Sequence, residues 1–293
     1  MKREAGQAIL IVLLSMSVVL TVVLSIIAAS TSDIKIGTDE SQSIRALSAA
    51  ESGVQESLVT NSASTGNLNG GASFTSNVTS LAAGATAFIY PTNIYPQDSA
   101  IFWLVSHSDS GITVCDANNP CYTGRYFNIL WGNPNDATTD ANSSTAPALE
   151  VTVYYLATPG DYSTARVAKN IYDPNTTRRL TNFYNGSGTT YPCPCTIGTT
   201  SFKYLEGFDL NATFNSTYSA SNGPQFITVK MLYNNNAQPI AIQTDTALPA
   251  QGFTVDSTGT VDSSTRKVQV EKAYGGIPSI FDAAIFSPNS LTK

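Results

Sequence analysis

An uncharged run near the N-terminus is the feature that most constrains this chain. No charged residue occurs between Glu4 and Asp33, and the stretch from Ala5 to Ser32 consists mainly of leucine, isoleucine, valine and alanine. A bilayer-spanning helix needs ~20 mainly apolar residues, so this run is long enough to cross a membrane. Two basic residues precede it in the segment MKRE and predict a cytoplasmic N-terminus, with everything after Asp33 outside.

A cleaved signal peptide is the alternative interpretation of the same run, with Ala28 and Ser30 as small residues for a cleavage site. The apolar core of a signal peptide spans only ~7–15 residues. Because the observed run is longer, the sequence favours a helix that is retained.

Residues 33–60 continue the helical pattern in amphipathic form. They contain no proline, and their apolar residues recur at steps of three and four, which places them on one helical face. We therefore expect one helix from about Ala8 to about Leu58, roughly 75 Å long at 1.5 Å per residue. The residues expected to pack against a sheet are Ile44, Leu47, Ala50, Val54 and Leu58.

The segments KREAGQAILIVLLSMSVVL and RALSAAESGVQESL resemble the N-terminal helix of type IV pilins. The resemblance covers about the first 60 residues and, weakly, the tail from Arg266 onward. It implies a leader peptide over residues 1–6, cleavage by a prepilin peptidase after Gly6, and a mature chain that begins at Gln7. It also implies that residues 7–60 form a transmembrane and polymerisation helix whose partners are other pilin subunits.

One position departs from the pattern of major pilins. Those proteins usually carry a glutamate at the fifth mature position, which here is Ile11. The family's glutamate compensates the N-terminal amine of a neighbouring subunit, and an ammonium group buried without a partner is costly. The chain therefore resembles most closely the minor pilins and pseudopilins that lack this glutamate and lie at or near a filament tip.

Assembly of such a chain would exchange lipid contacts for contacts with other helices, so close packing must drive the association. The small residues that permit close approach include Ser15, Ser17, Thr21, Ser25, Ala28 and Ala29. The plain alternative is a single-span anchor that holds an extracellular binding protein and never polymerises. The apolar positions expected in the assembly helix are Ile9, Ile11, Leu14, Val18, Val22 and Ile26.

The rest of the chain predicts an α+β fold in which the long helix packs on an antiparallel sheet. Residues 61–85 are polar and glycine-rich, which predicts a linker loop, and residues 86–293 are expected to form an extracellular β-rich globular domain. Segments 106–147 and 158–224 are expected to be loop-rich insertions. The runs predicted as strands are AIFWLV at 100–105, YFNILW at 126–131, ALEVTVYYLA at 148–157, QFITVKMLYN at 225–234, PIAIQT at 239–244 and RKVQVEKAY at 266–274.

Four cysteines follow the apolar run: Cys115, Cys121, Cys193 and Cys195. An even number on the exported side of a membrane predicts disulfides. Cys115 and Cys121 are spaced to close a short loop, but cross-pairing with the other two is equally allowed by the sequence.

No motif predicts catalysis, and we expect neither an enzyme nor a cofactor. His107 has no nucleophile motif around it, and the loops at 133–140 and 256–264 offer oxygen ligands for Ca²⁺ without an EF-hand pattern. The formal net charge of −6 argues against a nucleic-acid partner. Fourteen tyrosines in a chain with only 12% charged residues are typical of adhesive surfaces, and equally of β-strands. The expected surroundings are therefore the cell membrane and then the cell surface, with a surface or host-cell ligand as a further partner.

Overall fold

The computed structural model describes residues 4–107, 113–117, 119–181, 191–214 and 223–276. The chain forms two compact units. Unit 1 consists of Met1–Val78 with Val255–Val270, and unit 2 consists of Thr79–Thr254 with Glu271–Lys293. The expected division at residue 86 therefore missed that a late segment of the chain returns to the N-terminal unit.

Unit 1 contains the long helix α1, which runs without a break from Glu4 to Thr60. This confirms the single continuous helix expected from the sequence, and 57 residues give it a length of about 85 Å. Its sheet has the strand order β1-β2-β14-β15, and β2, β14 and β15 also contribute residues to unit 2. The bounds are β1 Ser64–Leu68, β2 Ala72–Leu81, β14 Gly252–Val261 and β15 Ser264–Ala273.

The linker loop expected over residues 61–85 is wrong for most of its length, because β1 and β2 form an antiparallel hairpin there. Gly70 and Gly71 make the turn with φ of 80° and 77°, a conformation that glycine adopts without steric cost. Ala72, Phe74 and Ser76 alternate with less buried neighbours along β2. The segment has the composition of a loop because the other face of the hairpin is polar.

Unit 2 contains two larger sheets. The five-stranded sheet has the order β10-β11-β7-β13-β3, and the four-stranded sheet has the order β4-β12-β8-β9. The first consists of β3 Ala87–Ile89, β7 Tyr126–Trp131, β10 Tyr191–Ile197, β11 Thr200–Asp209 and β13 Ile240–Thr244. The second consists of β4 Ser99–Trp103, β8 Ala148–Leu156, β9 Ala165–Tyr172 and β12 Pro224–Leu232.

Side chains from both sheets of unit 2 meet in one buried cluster. Val153 lies opposite Ile227 and Val151 opposite Val229 across antiparallel strands, so β-branched side chains contact each other directly. Trp131 from the other sheet joins them, fully buried, and donates its indole N–H to a backbone oxygen at 2.8 Å. The six runs predicted as strands are confirmed.

The segments expected to be loop-rich also hold regular structure. Strands β9, β10 and β11 lie between residues 158 and 224, together with the short helices α2 at Thr176–Thr181 and α3 at Leu210–Phe214. A two-stranded sheet pairs β5 at Ser106–His107 with β6 at Thr113–Val114. Sequence reasoning missed these strands because polar and charged residues interrupt their alternation.

Cys115 and Cys121 form a disulfide with a Cα–Cα distance of 5.3 Å. This selects the short-loop pairing and excludes a bond from either residue to the other two cysteines. Cys195 is also disulfide-bonded, and the side chain of Cys193 lies outside the described residues. Close to the first disulfide, the backbone N–H of Tyr122 donates to the Leu104 carbonyl oxygen at 2.8 Å, which ties the loop to the segment that follows β4.

A buried ion pair fixes α2 to the neighbouring loop. Two nitrogens of the Arg178 guanidinium donate to the two carboxylate oxygens of Asp173, each at 2.7 Å, and the Asp173 side chain is only 2% exposed. The same guanidinium donates to the carbonyl oxygens of Ser144 and Ala146, and lies 4.0 Å from the ring centroid of Tyr233. Arg178 thus joins three segments of unit 2.

Replacing Arg178 with alanine should lower the free energy of unfolding by about 3–5 kcal/mol, because it leaves the buried Asp173 carboxylate without its cation. The matched control is Lys169→Ala, which breaks the more exposed pair with Glu150 and should cost under ~1 kcal/mol. Urea unfolding of the full chain, followed by tryptophan fluorescence, measures both. Equal decreases in the free energy of unfolding of the two variants would contradict the conclusion that Arg178 and Asp173 form a stabilising buried ion pair.

Candidate assembly helix

The N-terminal half of α1 is exposed on every side. Every residue from Ile9 to Ser41 is exposed. By length and composition this helix is able to cross a membrane, and a continuous apolar surface of this kind marks contact with lipid or protein. The side chains expected in the assembly helix are all more than half exposed: Ile9, Ile11, Leu14, Val18, Val22 and Ile26.

Four hydroxyl groups in this half are bonded within the helix itself. Ser15, Ser17 and Thr21 each donate to the carbonyl oxygen three residues earlier, at 2.8–2.9 Å. Thr31 donates to the carbonyl oxygens of two residues in the preceding turn, each at 3.0 Å. Since hydrocarbon offers no partner for a polar group, these internal bonds suit the helix to lipid or to a dry bundle of helices.

The residues of the expected processing site, Gly6 and Gln7, lie in the first turns of α1. The side chain of Gln7 is outside the described part of the structure. Ile11, at the position where major pilins carry glutamate, is exposed on the helix surface with the other apolar side chains.

The second half of α1 docks on the sheet of unit 1, but through a face different from the expected one. Ala50 and Val54 are buried, whereas Ile44 is 61% and Leu47 41% exposed. The expected packing of Ile44 and Leu47 is therefore wrong, and Leu58 is only half-buried. The buried face consists mostly of small residues, namely Ala46, Ala49, Ala50, Gly53, Val54 and Ser57.

Small residues lie there because the helix and sheet backbones approach closely. A Cβ atom on Gly259 of β14 would lie 2.5 Å from the backbone nitrogen of Ala50 and closer still to the carbonyl oxygen of Ala46. No larger residue fits at Gly259 without moving a backbone. The strand therefore rests directly on the helix, and a large apolar side chain at this face would hold the two apart.

The ring of Phe74 fills the next part of the interface. Phe74 is 5% exposed and packs against two glycines, Gly53 of α1 and Gly66 of β1. A Cβ on Gly53 would lie 2.6 Å from the ring, and one on Gly66 would come closer. Sequence reasoning missed Phe74, although an isolated aromatic residue within an alternating Ser/Thr run was a detectable signal.

Polar contacts surround this interface. Ser57 and Ser76 share a buried hydrogen bond of 2.6 Å. Arg266 donates to the Ser43 hydroxyl at 2.6 and 2.8 Å, and Gln42 donates to the Asp262 carboxylate at 3.1 Å. These bonds fix the rotation of α1 on the sheet, since close packing of small residues alone is not directional.

The second candidate calcium loop, residues 256–264, lies mostly in strands β14 and β15, and the acidic group of the first has other partners. The Asp136 carboxylate accepts bonds from the Thr138 hydroxyl and backbone N–H, which lower the pKa of Asp136 to about 2. Among the described residues, no group of three or more histidine, cysteine, aspartate or glutamate side chains is placed to hold a metal ion. Calcium stays a prediction from the sequence. The side chain of His107 lies outside the described residues.

A buried carboxyl group in unit 2 escaped sequence reasoning. Glu206 of β11 is 8% exposed, and its Oε2 atom has no hydrogen-bond partner. Burial raises the pKa of Glu206 to about 7, opposed in part by the positive charge of Arg179. The signal was present in the run FKYLEGF, where glutamate occupies one of the alternating positions that otherwise hold Phe202, Tyr204 and Phe208.

No protein-family model, no curated protein and no solved structure matches this chain. Functional conclusions therefore depend on the residues and the geometry described above.

Two glycines of α1 give a matched test of the close interface. Gly53→Ala should destabilise unit 1 by about 1–3 kcal/mol through overpacking against Phe74 and Ser257. Gly37→Ala makes the same change where nothing lies within 4 Å, and should be neutral or stabilising by up to ~1 kcal/mol through helix propensity. Thermal unfolding of both variants checks this, and stabilisation by both would refute the packing assignment.

The Glu206 carboxyl group predicts a pH-dependent stability. Its folded-state pKa of about 7 exceeds the ordinary value of 4.5, so the folded chain retains a proton that the unfolded chain releases. Between these two pH values the free energy of unfolding should fall as pH rises, by about 3 kcal/mol in total. Glu206→Gln should remove this dependence, measured by urea unfolding from pH 4 to 8.

The control for that measurement is Glu271→Gln, which changes an exposed carboxylate on β15. It should follow the pH profile of the unmodified chain. A Glu206→Gln variant whose profile keeps the same slope would show that Glu206 is ionised in the folded protein.

Proposed function

We propose that this chain is a structural subunit of a type IV pilus or a related filament. The observation that carries the proposal is the division of α1: one uninterrupted helix is apolar and exposed all round in its first half and docked on a sheet in its second. A helix of this design holds a subunit in a membrane and afterwards joins it to other subunits. Residues 7–32 are the assembly surface, and the domain outside the membrane serves assembly or adhesion.

The membrane stage follows from composition. The chain is inserted by a single span with its N-terminus inside, and prepilin peptidase removes residues 1–6 by cutting after Gly6. The Cys115–Cys121 disulfide supports an oxidising compartment for the rest of the chain. The subunit then leaves the membrane for a filament at the cell surface, where a surface or host-cell ligand is a further partner.

The assembly stage depends on packing. Lipid tails are as apolar as leucine, so helix association in a membrane gains energy from close contact and not from leaving water. Ser17, Thr21 and Ala28 leave room for a neighbouring helix, and the hydroxyl groups of Ser17 and Thr21 are already bonded within α1. A neighbouring helix therefore meets no unsatisfied hydroxyl group at these two positions.

Ile11 supports a minor subunit at the tip or at the start of the filament. An isoleucine cannot compensate the N-terminal amine of a neighbour, and each interior position of a filament would bury such an amine at a cost. At the tip this requirement applies to fewer neighbours. We propose no catalytic role and no cofactor for the chain.

The decisive experiment is to shear surface filaments from the native cell and to determine the N-terminal residue of the protein in them by mass spectrometry. We expect a chain that begins at Gln7 and co-purifies with filaments. An intact Met1 confined to the membrane fraction would reject the proposal in favour of a single-span anchored binding protein.

A matched pair of variants tests assembly separately from insertion. Ser17→Leu with Ala28→Leu keeps the span apolar but fills the space for a neighbour, so the amount in filaments should fall at least tenfold while the amount in the membrane is unchanged. Leu24→Ile is the control, because it keeps the size of an exposed apolar side chain that is not among the six expected assembly positions. Equal filament levels for all variants would show that these small residues are not a packing surface.

A further inference from the structure

Unit 2 contains an open cleft of about 560 Å³ that neither the helix nor the proposed filament contacts explain. Its volume lies within the ~300–1,000 Å³ of typical small-molecule sites. Three tyrosines line it, Tyr90, Tyr95 and Tyr274, together with side chains that carry hydroxyl, amide and carboxylate groups. The cleft therefore offers both flat apolar surfaces and hydrogen-bonding groups.

The walls of the cleft are held in place by backbone hydrogen bonds. Tyr90 donates from its backbone N–H to Ile240 at 3.0 Å, and Tyr274 donates to Gln251 at 2.9 Å. Ile94 and Gln238, which precedes β13, donate a backbone hydrogen bond to each other, at 2.9 and 3.0 Å. Because these bonds join backbone groups of the protein to each other, the walls of the cleft do not depend on a ligand, and binding should cost little conformational entropy.

The turn at one side of the cleft holds an aromatic ring towards solvent. The backbone N–H of Asp98 donates to the Tyr95 carbonyl oxygen at 3.1 Å, and Gln97 lies within this turn at a φ of 69°. A left-handed conformation is costly for a residue other than glycine. The turn leaves Tyr95 63% exposed. The backbone at Gln97 is therefore strained, and the Tyr95 ring does not gain the stabilisation that burial would give.

Several polar groups that line the cleft make no hydrogen bond to another residue in the part of the chain that the structure describes. The Oγ atom of Ser99 is buried without a hydrogen-bond partner. The Asp98 carboxylate and the hydroxyl groups of Tyr90 and Tyr95 make no hydrogen bond to another residue within the described ranges. The exposed Asp98 carboxylate and Tyr95 hydroxyl group can therefore bond to a ligand without breaking a bond within the protein.

The charge of the lining narrows the ligand class. The described lining residues include the Asp98 carboxylate and no lysine, arginine or histidine, so an anionic ligand would meet repulsion and no counter-charge. A sugar ring presents an apolar C–H face to a tyrosine ring and hydroxyl donors to a carboxylate. We propose that this cleft binds a neutral carbohydrate, with Tyr95 as the stacking surface and Asp98 as the hydrogen-bond acceptor.

The test uses the full chain in lipid nanodiscs, since many detergents carry sugar head groups. An array of neutral, sialylated and sulfated oligosaccharides identifies the probe, and the neutral oligosaccharide with the strongest signal is then titrated by calorimetry. Binding should weaken at least fivefold in Tyr95→Ala and in Asp98→Asn. Tyr162→Ala, which changes another exposed tyrosine that is not part of the cleft lining, should bind as the unmodified chain does.

Three results would overturn the proposal: no neutral oligosaccharide binds, sialylated or sulfated probes bind more tightly than neutral ones, or affinity is unchanged in both cleft variants. Choline is titrated beside the sugar, and tighter binding of choline would assign the tyrosines to a cation site instead. Tyr95 and Asp98 are exposed, so both variants should keep the unfolding temperature of the unmodified chain. The measurement needs no filament, and its failure leaves the assembly proposal standing.

Discussion

The close approach of the α1 and β14 backbones is the constraint on which the structure of unit 1 depends. At Gly259 the strand lies against the helix backbone at Ala46 and Ala50, so only small side chains fit between them. Alanine buries little apolar area, and hydrophobic transfer alone stabilises such a contact weakly. The interface must therefore depend on dense packing around Phe74 and on the hydrogen bonds at its rim.

This constraint decides which side chains face outward. A helix that presents its small residues to the sheet must turn its large ones away, and Ile44 and Leu47 are exposed for that reason. The apolar surface of α1 consequently continues beyond the uncharged run, through Ile34 and Ile36 towards the docked half. In the proposed filament, neighbouring helices can contact α1 along more of its length than the membrane-spanning part alone.

The periodicity of apolar residues and the composition could predict the helix and most strands, but not which elements pack against each other. The helix follows from an unbroken apolar run joined to a 3.6-residue pattern, and strands such as β7 and β8 follow from dense β-branched and aromatic residues. The face of α1 that docks on the sheet was missed because a buried helix face is normally identified by its large apolar residues. This interface instead contains small residues such as Ala46 and Gly53. The hairpin at 64–81 was missed because its serines and threonines resemble a loop, and only Phe74 and the Gly70–Gly71 turn indicate otherwise.

The acidic groups of unit 2 differ in how their carboxylates are partnered. Burial works against ionisation of Asp245, yet donors from Tyr122 and two backbone N–H groups hold its pKa below the ordinary value. Asp173 is likewise paired. Asp98 differs, because its backbone is bonded in both directions while its carboxylate has no partner among the described residues. Asp98 and Tyr95 are both exposed beside the cleft, and the rigid backbone between them keeps the carboxylate and the ring in the positions that the proposed sugar site requires.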